Sequence, residues 1–248
     1  MARTLAWGAR GRSFKSSHPD FHFYGVYSFV MRNKKEKFQE LKTFNNVFEW
    51  DTKGVKKDLK KLFKQRKEVV LELGCGKGEY TVQLAKRYPE RIFIGVDIQG
   101  ERMWKGAKQA IEENISNAYF LRTQIENIQE YIPKKSITEI WLTFPDPFPK
   151  DRQVKKRLTS PRFLDMYKKI LKRGGVVNLK TDSQSLYEYT LEQIEERKAK
   201  ILENQRDIYK EGDIEDVTDI QTTFEKKHLE KGKTIKYLRV CLVSTNTY

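Results

Sequence analysis

Residues 69–87 read Val69-Val-Leu-Glu-Leu-Gly-Cys-Gly-Lys-Gly-Glu-Tyr-Thr-Val-Gln-Leu-Ala-Lys-Arg87, passing from an apolar run through three closely spaced glycines into an amphipathic stretch. The first part predicts a buried strand over 69–73. The last predicts a helix over 79–87 with Val82, Leu84 and Ala85 toward a core. Glycines between a strand and a helix let the backbone turn sharply and approach a ligand closely. Outward from this stretch the same alternation repeats. Strands are expected over 91–96, 118–121, 137–142 and 176–179, with helices over 101–113, 125–131 and 183–197. Thr159-Ser160-Pro161 reads as a capped helix start, with Gly174-Gly175 as that helix's stop. A last strand is expected over 236–243. Such alternation implies a mostly parallel, doubly wound α/β sheet.

The glycine spacing narrows the ligand. Dinucleotide loops carry G-x-G-x-x-G, whereas here the third glycine comes one residue early. S-adenosylmethionine has no pyrophosphate to seat on a helix N-terminus and needs room for its methionine and adenosine. Gly74 and Gly76 provide that room, and Glu72, just before them, can offer a carboxylate to the charged amino-acid portion. Asp97, ending the second strand, is placed to accept from two ribose hydroxyls. Gln124, after the third strand, can bond an adenine edge. A methyl donor is therefore favoured over nicotinamide.

A second loop leaves the fourth strand. Residues 142–158 place Pro145, Pro147 and Pro149 around Asp146, followed by Lys150, Arg152, Lys155, Lys156 and Arg157. The prolines forbid helix or ladder and stiffen a loop at the carboxyl end of a strand, where ligands of open α/β sheets sit. An acid that can pair with a base edge, beside cations that can hold phosphates, points to chemistry on a nucleic acid.

The bulk composition agrees. Lysine and arginine number 49 against 34 acids, a formal charge of +15 over 248 residues. Without a long apolar run, that excess favours a nucleic acid over a membrane surface. Two distant cysteines, Cys75 and Cys241, suggest neither a disulfide framework nor a zinc site, and a reducing cytoplasm fits. His18, His22 and His228 lack metal spacing, so no metal is expected. Residues 1–30 read as an upstream or disordered extension before Met31, with signal-like features but no small-residue cleavage site. Residues 31–67 form a basic N-terminal arm of 13 basic and 5 acidic side chains, including a short helix over 55–63, and 68–248 form the catalytic domain.

With these residues in hand, the chain resembles bacterial tRNA (guanine-N7)-methyltransferases from about Met31 to Leu238. The resemblance rests on Phe144-Pro-Asp-Pro147, Pro149-Lys150-x-Arg152, Lys155-Lys-Arg-Leu-Thr159, Leu179-Lys-Thr-Asp182, Tyr187-Glu-Tyr189 and Thr222-x-Phe-Glu225, in that order. It implies a Rossmann-like class I methyltransferase fold, with a seven-stranded, mostly parallel sheet and an antiparallel C-terminal strand. It also implies methyl transfer from S-adenosylmethionine to N7 of guanine 46 in the tRNA variable loop, by a monomer or homodimer. By that similarity Glu72, Asp97, Gln124 and Asp146 line the cofactor pocket, and Lys150, Asp182 and Thr222, Thr223, Phe224 and Glu225 meet the substrate. The chain departs from the family at Gln153, where histidine is usual, at Gln124, where aspartate or asparagine is commoner, and at Phe224, where tyrosine is frequent.

Guanine N7 carries an in-plane lone pair and attacks without losing a proton, so no general base is required. Asp146 is expected to accept from N1–H and the amino group and to present N7; Asp182 is the second candidate, with helix capping as its plainer role. Lys150 and Arg152, with the cations after them, are expected to grip phosphates. Phe148, Phe224 or Tyr187 would offer a face to an unstacked base. The competing readings are methylation of another RNA base or of a protein amide, a non-catalytic tRNA-binding protein on the same fold, and a nicotinamide dehydrogenase.

Overall fold

The computed structural model describes residues 33–65, 68–212 and 214–242. The extension expected over 1–30 and Val243 of the last strand lie outside the described residues. Eight strands form one sheet: β1 (Val47–Glu49), β2 (Val69–Leu73), β3 (Ile92–Asp97), β4 (Ala118–Arg122), β5 (Ile137–Thr143), β6 (Leu171–Thr181), β7 (Lys200–Gln205) and β8 (Lys236–Cys241). Their spatial order is β1-β4-β3-β2-β5-β6-β8-β7. Only β8 opposes the rest, running antiparallel to β6 and to β7.

The helices are α1 (Lys34–Leu41), α2 (Val55–Phe63), α3 (Glu79–Arg87), α4 (Gly100–Glu112), α5 (Pro161–Ile170), α6 (Gln184–Glu196) and α7 (Thr223–Leu229). One apolar cluster joins Leu59 of α2, Tyr167 of α5 and Leu186 of α6. A second joins Leu41 of α1, Leu84 of α3 and Met103 of α4. Every residue of β2 is buried, as a central parallel strand covered on both faces must be.

The sequence pattern marks none of α1, β7 and α7, and three further features differ from the expectation. The eighth strand is β1, which pairs parallel with β4 through Val47 and Phe120 and comes from the segment read as a basic arm. Its Glu49 is buried against Arg122, Oε2 to Nε 2.5 Å. The pair Gly174-Gly175 does not stop α5; the helix ends at Ile170 and β6 begins at Leu171. The glycines instead fall where the pairing with β5 slips between Ile137 and Glu139, with Gly174 at φ 76°, a bulge that glycine accommodates. Residues 125–130 make 3₁₀ turns instead of a regular helix.

From β2 the chain builds outward through β3 to β4, then returns to place β5 on the other side of β2. The order therefore reverses at β2 and β5. A crevice opens outside the carboxyl ends of strands at such a reversal. The glycine loop leaves β2 there, and the proline loop leaves β5.

Candidate active site

Both loops line one cavity of about 1060 Å³. Gly74, Gly76 and Gly78 all take positive φ, at 76°, 53° and 69°. A Cβ on Gly78 would sit 2.5 Å from the Phe120 ring, so the loop lies against β4 without room for a side chain. A Cβ on Gly76 would meet nothing within 4 Å. The loop is thus packed on its protein side and open at Gly76.

Two carboxylates brace it. Asp97 Oδ2 accepts from the Gly76 N–H at 2.8 Å and Oδ1 from the Gln99 N–H at 2.9 Å. Each oxygen keeps acceptor capacity for a further donor. Glu72 also lines the cavity but is only 4% exposed. Its Oε2 accepts from the Thr81 N–H and hydroxyl, and its Oε1 from the Thr143 hydroxyl at 2.5 Å. Burial raises its pKa to about 7 against the opposing pull of Thr143 and Thr81. This carboxylate ties the base of the glycine loop to the last residue of β5, and both oxygens are already engaged.

The proline loop is strained and held. Phe144 and Phe148 take φ 50° and 43°, the left-handed region that bulky residues avoid. Between them Asp146 is exposed, lines the cavity and makes no hydrogen bond or ion pair among the described residues. The Phe144 N–H donates to the Lys180 carbonyl at 2.7 Å. Arg157 Nε donates to the Pro147 carbonyl at 3.0 Å and Nη2 to that of Phe148 at 3.1 Å, while its guanidinium lies 4.4 Å from the Tyr189 ring. Arg157 is therefore a buried clamp and no phosphate contact, correcting the expectation for that member of the basic run.

The C-terminal segment closes the third side. Thr222 caps α7, and Thr223 donates its N–H and hydroxyl to Glu79, each at 2.7 Å. Burial would raise the Glu79 pKa, but Thr223 and Lys105 outweigh it and lower it. Thr222, Thr223 and Phe224 line the cavity, and Phe224 is 46% exposed. Glu225, expected at the substrate, is wholly buried and outside the lining. Its Oε1 pairs with Lys180 Nζ at 2.8 Å and accepts from the Tyr209 hydroxyl at 2.8 Å, so it anchors the segment from within. Burial lowers the Lys180 pKa against the pull of Glu225.

Asp182 lines the cavity as well, yet its Oδ2 meets His228 Nδ1 at 2.8 Å and Lys233 Nζ at 2.6 Å. It does not cap α6, since the Ser183 hydroxyl accepts from Leu186 N–H instead. Burial acts to raise the Asp182 pKa, but Lys233 and His228 lower it. Of the expected phosphate contacts Arg152, Lys155 and Lys156 line the cavity, but Lys150 does not. Gln124 is also outside the lining, although Ile125 and Glu126 beside it are within. Tyr187 is buried, its hydroxyl bonded to Asn204, whereas Phe148 and Phe224 face the cavity. Sequence reasoning missed Glu79, Arg162 and Lys227 in the lining. A charge inside the apolar run before Thr181 was the available signal for buried Lys180.

Residues 66–238 match the family described as "Putative methyltransferase". The chain is 45% identical over 219 residues to a tRNA (guanine-N(7)-)-methyltransferase of Christiangramia forsetii, covering 84% of this chain and 97% of that protein. It is 50% identical over 171 residues to the protein of that description from Porphyromonas gingivalis, covering 68% and 69%. Among solved structures it is similar to a 30S ribosomal A1408 methyltransferase from an uncultured bacterium, at TM-score 0.56 and 20% identity, covering 75% of this chain and 93% of that one. The 16S rRNA (adenine(1408)-N(1))-methyltransferase of Catenulisporales acidiphilia, solved with cosubstrate SAM, gives TM-score 0.56 at 13% identity, covering 78% and 93%. At those identities the likeness is one of fold.

Proposed function

The chain belongs to the tRNA (guanine-N(7)-)-methyltransferase family, and on that premise we propose that it transfers a methyl group from S-adenosylmethionine to N7 of guanine 46 in the tRNA variable loop. The observation that carries this reading is one cavity shared by the glycine loop and the carboxylate of Asp146, which has no partner among the described residues. The residues fit the methyl donor. Gly76 leaves open space beside Gly74, and Asp97 retains acceptor capacity for ribose hydroxyls. Glu72 supports the loop from beneath. When bound, S-adenosylmethionine supplies an electrophilic methyl carbon on a sulfonium.

The remaining work is alignment and charge. N7 attacks with its own lone pair, so Asp146 acts as an orienting acceptor for N1–H and the amino group, not as a base. Holding nucleophile and methyl carbon in line can remove several kcal/mol of barrier. Methylation leaves the guanine cationic, and a carboxylate at its Watson–Crick edge stabilises that charge as it develops. Exposed Arg152, Lys155 and Lys156, joined by Arg162 and Lys227, hold the strand by its phosphates. Phe224 and Phe148 offer faces to the unstacked base. None of the described helices is long and apolar enough to cross a membrane. We infer a cytoplasmic site of action from the proposed tRNA substrate.

Incubation with tritiated methyl donor and unmodified tRNA, followed by nucleoside analysis, tests this directly. Label should appear as 7-methylguanosine and vanish when guanine 46 is replaced by adenine. Label in any other nucleoside, or none at all, refutes the reading.

A further inference from the structure

Phe224 stands out at the cavity because a large ring is left 46% exposed on a short helix. It is not loose. His228, one turn further along the same face of α7, stacks behind it with ring centroids 4.0 Å apart and planes at 30°. Phe144 of the proline loop meets Phe224 at 5.1 Å and 49°. His228 is in turn fixed from outside its own helix. Its Nδ1 lies 2.8 Å from Asp182 Oδ2, beyond the end of β6, and a carboxylate can only accept there, so Nδ1 carries the proton. Lys233 Nζ, 2.6 Å from that same oxygen, holds Asp182 in turn. Three contacts therefore run in series from Lys233 to the exposed ring, and the imidazole is the only link that touches the ring itself.

We propose that His228 is a positioning residue: pinned by Asp182, its imidazole fixes the plane of Phe224 as the face on which the extruded guanine stacks. This rests on the function proposed above. A phenyl group on an exposed helix turn would otherwise sample several rotamers, and each base captured would have to order it first. Backed on one face by an anchored imidazole and met by the tilted ring of Phe144, the ring waits in one orientation. It also presents its electron-rich face to a base that becomes cationic on methylation. Asp182 accordingly acts on the ring through His228, by way of its Oδ2.

The test is a double-mutant cycle on Phe224 and His228 in the full chain, read as kcat and KM for unmodified tRNA and as affinity for S-adenosylhomocysteine. Base–aromatic stacking sets the scale, and His228→Ala should lower kcat about ten-fold. KM and cofactor affinity should stay near wild type, because phosphate and cofactor contacts are untouched. His228→Phe, which keeps a ring behind Phe224 but loses the Asp182 anchor, should recover part of the loss and not all of it. Phe224→Ala should cost at least as much as His228→Ala, and the double variant should be no worse than Phe224→Ala alone, because His228 acts only through that ring. Independent, additive penalties overturn the proposal, as does an unchanged kcat in His228→Ala. If His228→Ala does not fold, His228→Phe decides: a loss as deep as that of Phe224→Ala overturns the proposal. A wild-type protein that forms no 7-methylguanosine overturns the functional reading and this inference with it; wild-type activity with additive penalties overturns the inference alone.

Discussion

Replacing Asp146 by asparagine separates chemistry from folding more cleanly than any other change at this site. The side chain is exposed and has no partner among the described residues, so its removal takes nothing from the folded state. Stability should therefore stay within about 0.5 kcal/mol of wild type. The transition state is another matter. A carboxylate can accept from both the N1–H and the amino group of guanine, whereas an amide has one acceptor oxygen and turns an NH₂ toward a donor. Losing one hydrogen bond to a charged group costs about 1.5–3 kcal/mol. At about 1.4 kcal/mol per decade that is roughly 10- to 150-fold, and the missing negative charge beside a cationic product pushes toward the upper end. The expected result is about a 100-fold fall in single-turnover rate at saturating methyl donor. Affinity for S-adenosylhomocysteine and the urea midpoint should not move. A variant within about three-fold of the wild-type rate, or one whose loss is entirely in cofactor affinity, would refute the orienting role.

Three further outcomes follow from the buried groups. Lys180→Met leaves Glu225 wholly buried without its cation and should cost about 3–5 kcal/mol by urea denaturation, with Lys180→Met/Glu225→Leu recovering part of it. Arg157→Lys keeps the charge but loses the fork that holds the Pro147 and Phe148 carbonyls; it should cost about 1–3 kcal/mol and lower turnover while methyl-donor affinity holds. Glu72 has its folded pKa raised from 4.5 to about 7, so the native state binds the extra proton and this group's contribution to stability falls as pH rises from about 4.5 to about 7. The wild type should accordingly lose stability relative to Glu72→Gln between pH 5 and pH 8, by a few kcal/mol at most, in paired denaturation midpoints; a difference that grows in the other direction would contradict the assignment.

The parts legible in the sequence were those whose pattern is local. β2, the glycine loop and α3 announce themselves in one continuous stretch, because a strand buried on both faces must be apolar and a tight turn must be glycine-rich. The proline loop is legible for the same reason. Other features depend on what lies across the fold. Five cations follow Asp146 in eleven residues, and nothing in their spacing tells that Arg157 alone turns inward to satisfy loop carbonyls. Strand β7 escapes because most of its residues are exposed at the sheet edge, so no alternation marks it. The family resemblance carries Glu225 over as a site residue together with Thr222, Thr223 and Phe224, which do line the cavity, yet one position further along α7 points into the core.

The architecture also explains how an unpartnered carboxylate can be presented rigidly. Phe144 and Phe148 hold backbone conformations that cost of order 1–3 kcal/mol each, and such strain persists only when its surroundings over-determine it. Lys180 supplies part of that constraint twice over. Its carbonyl takes the Phe144 N–H, fixing the start of the proline loop, and its ammonium takes Glu225, fixing the turn that bears Phe224. Both features thus refer to one residue of β6, so the acid and the stacking ring are set relative to each other by a strand and not by two independent loops. The wholly buried lysine thus registers the two halves of the proposed base-binding face despite the desolvation it suffers, and its backbone and side chain do so separately. Lys180→Met should therefore disturb Phe224 while leaving the Phe144 hydrogen bond, and with it Asp146, in place.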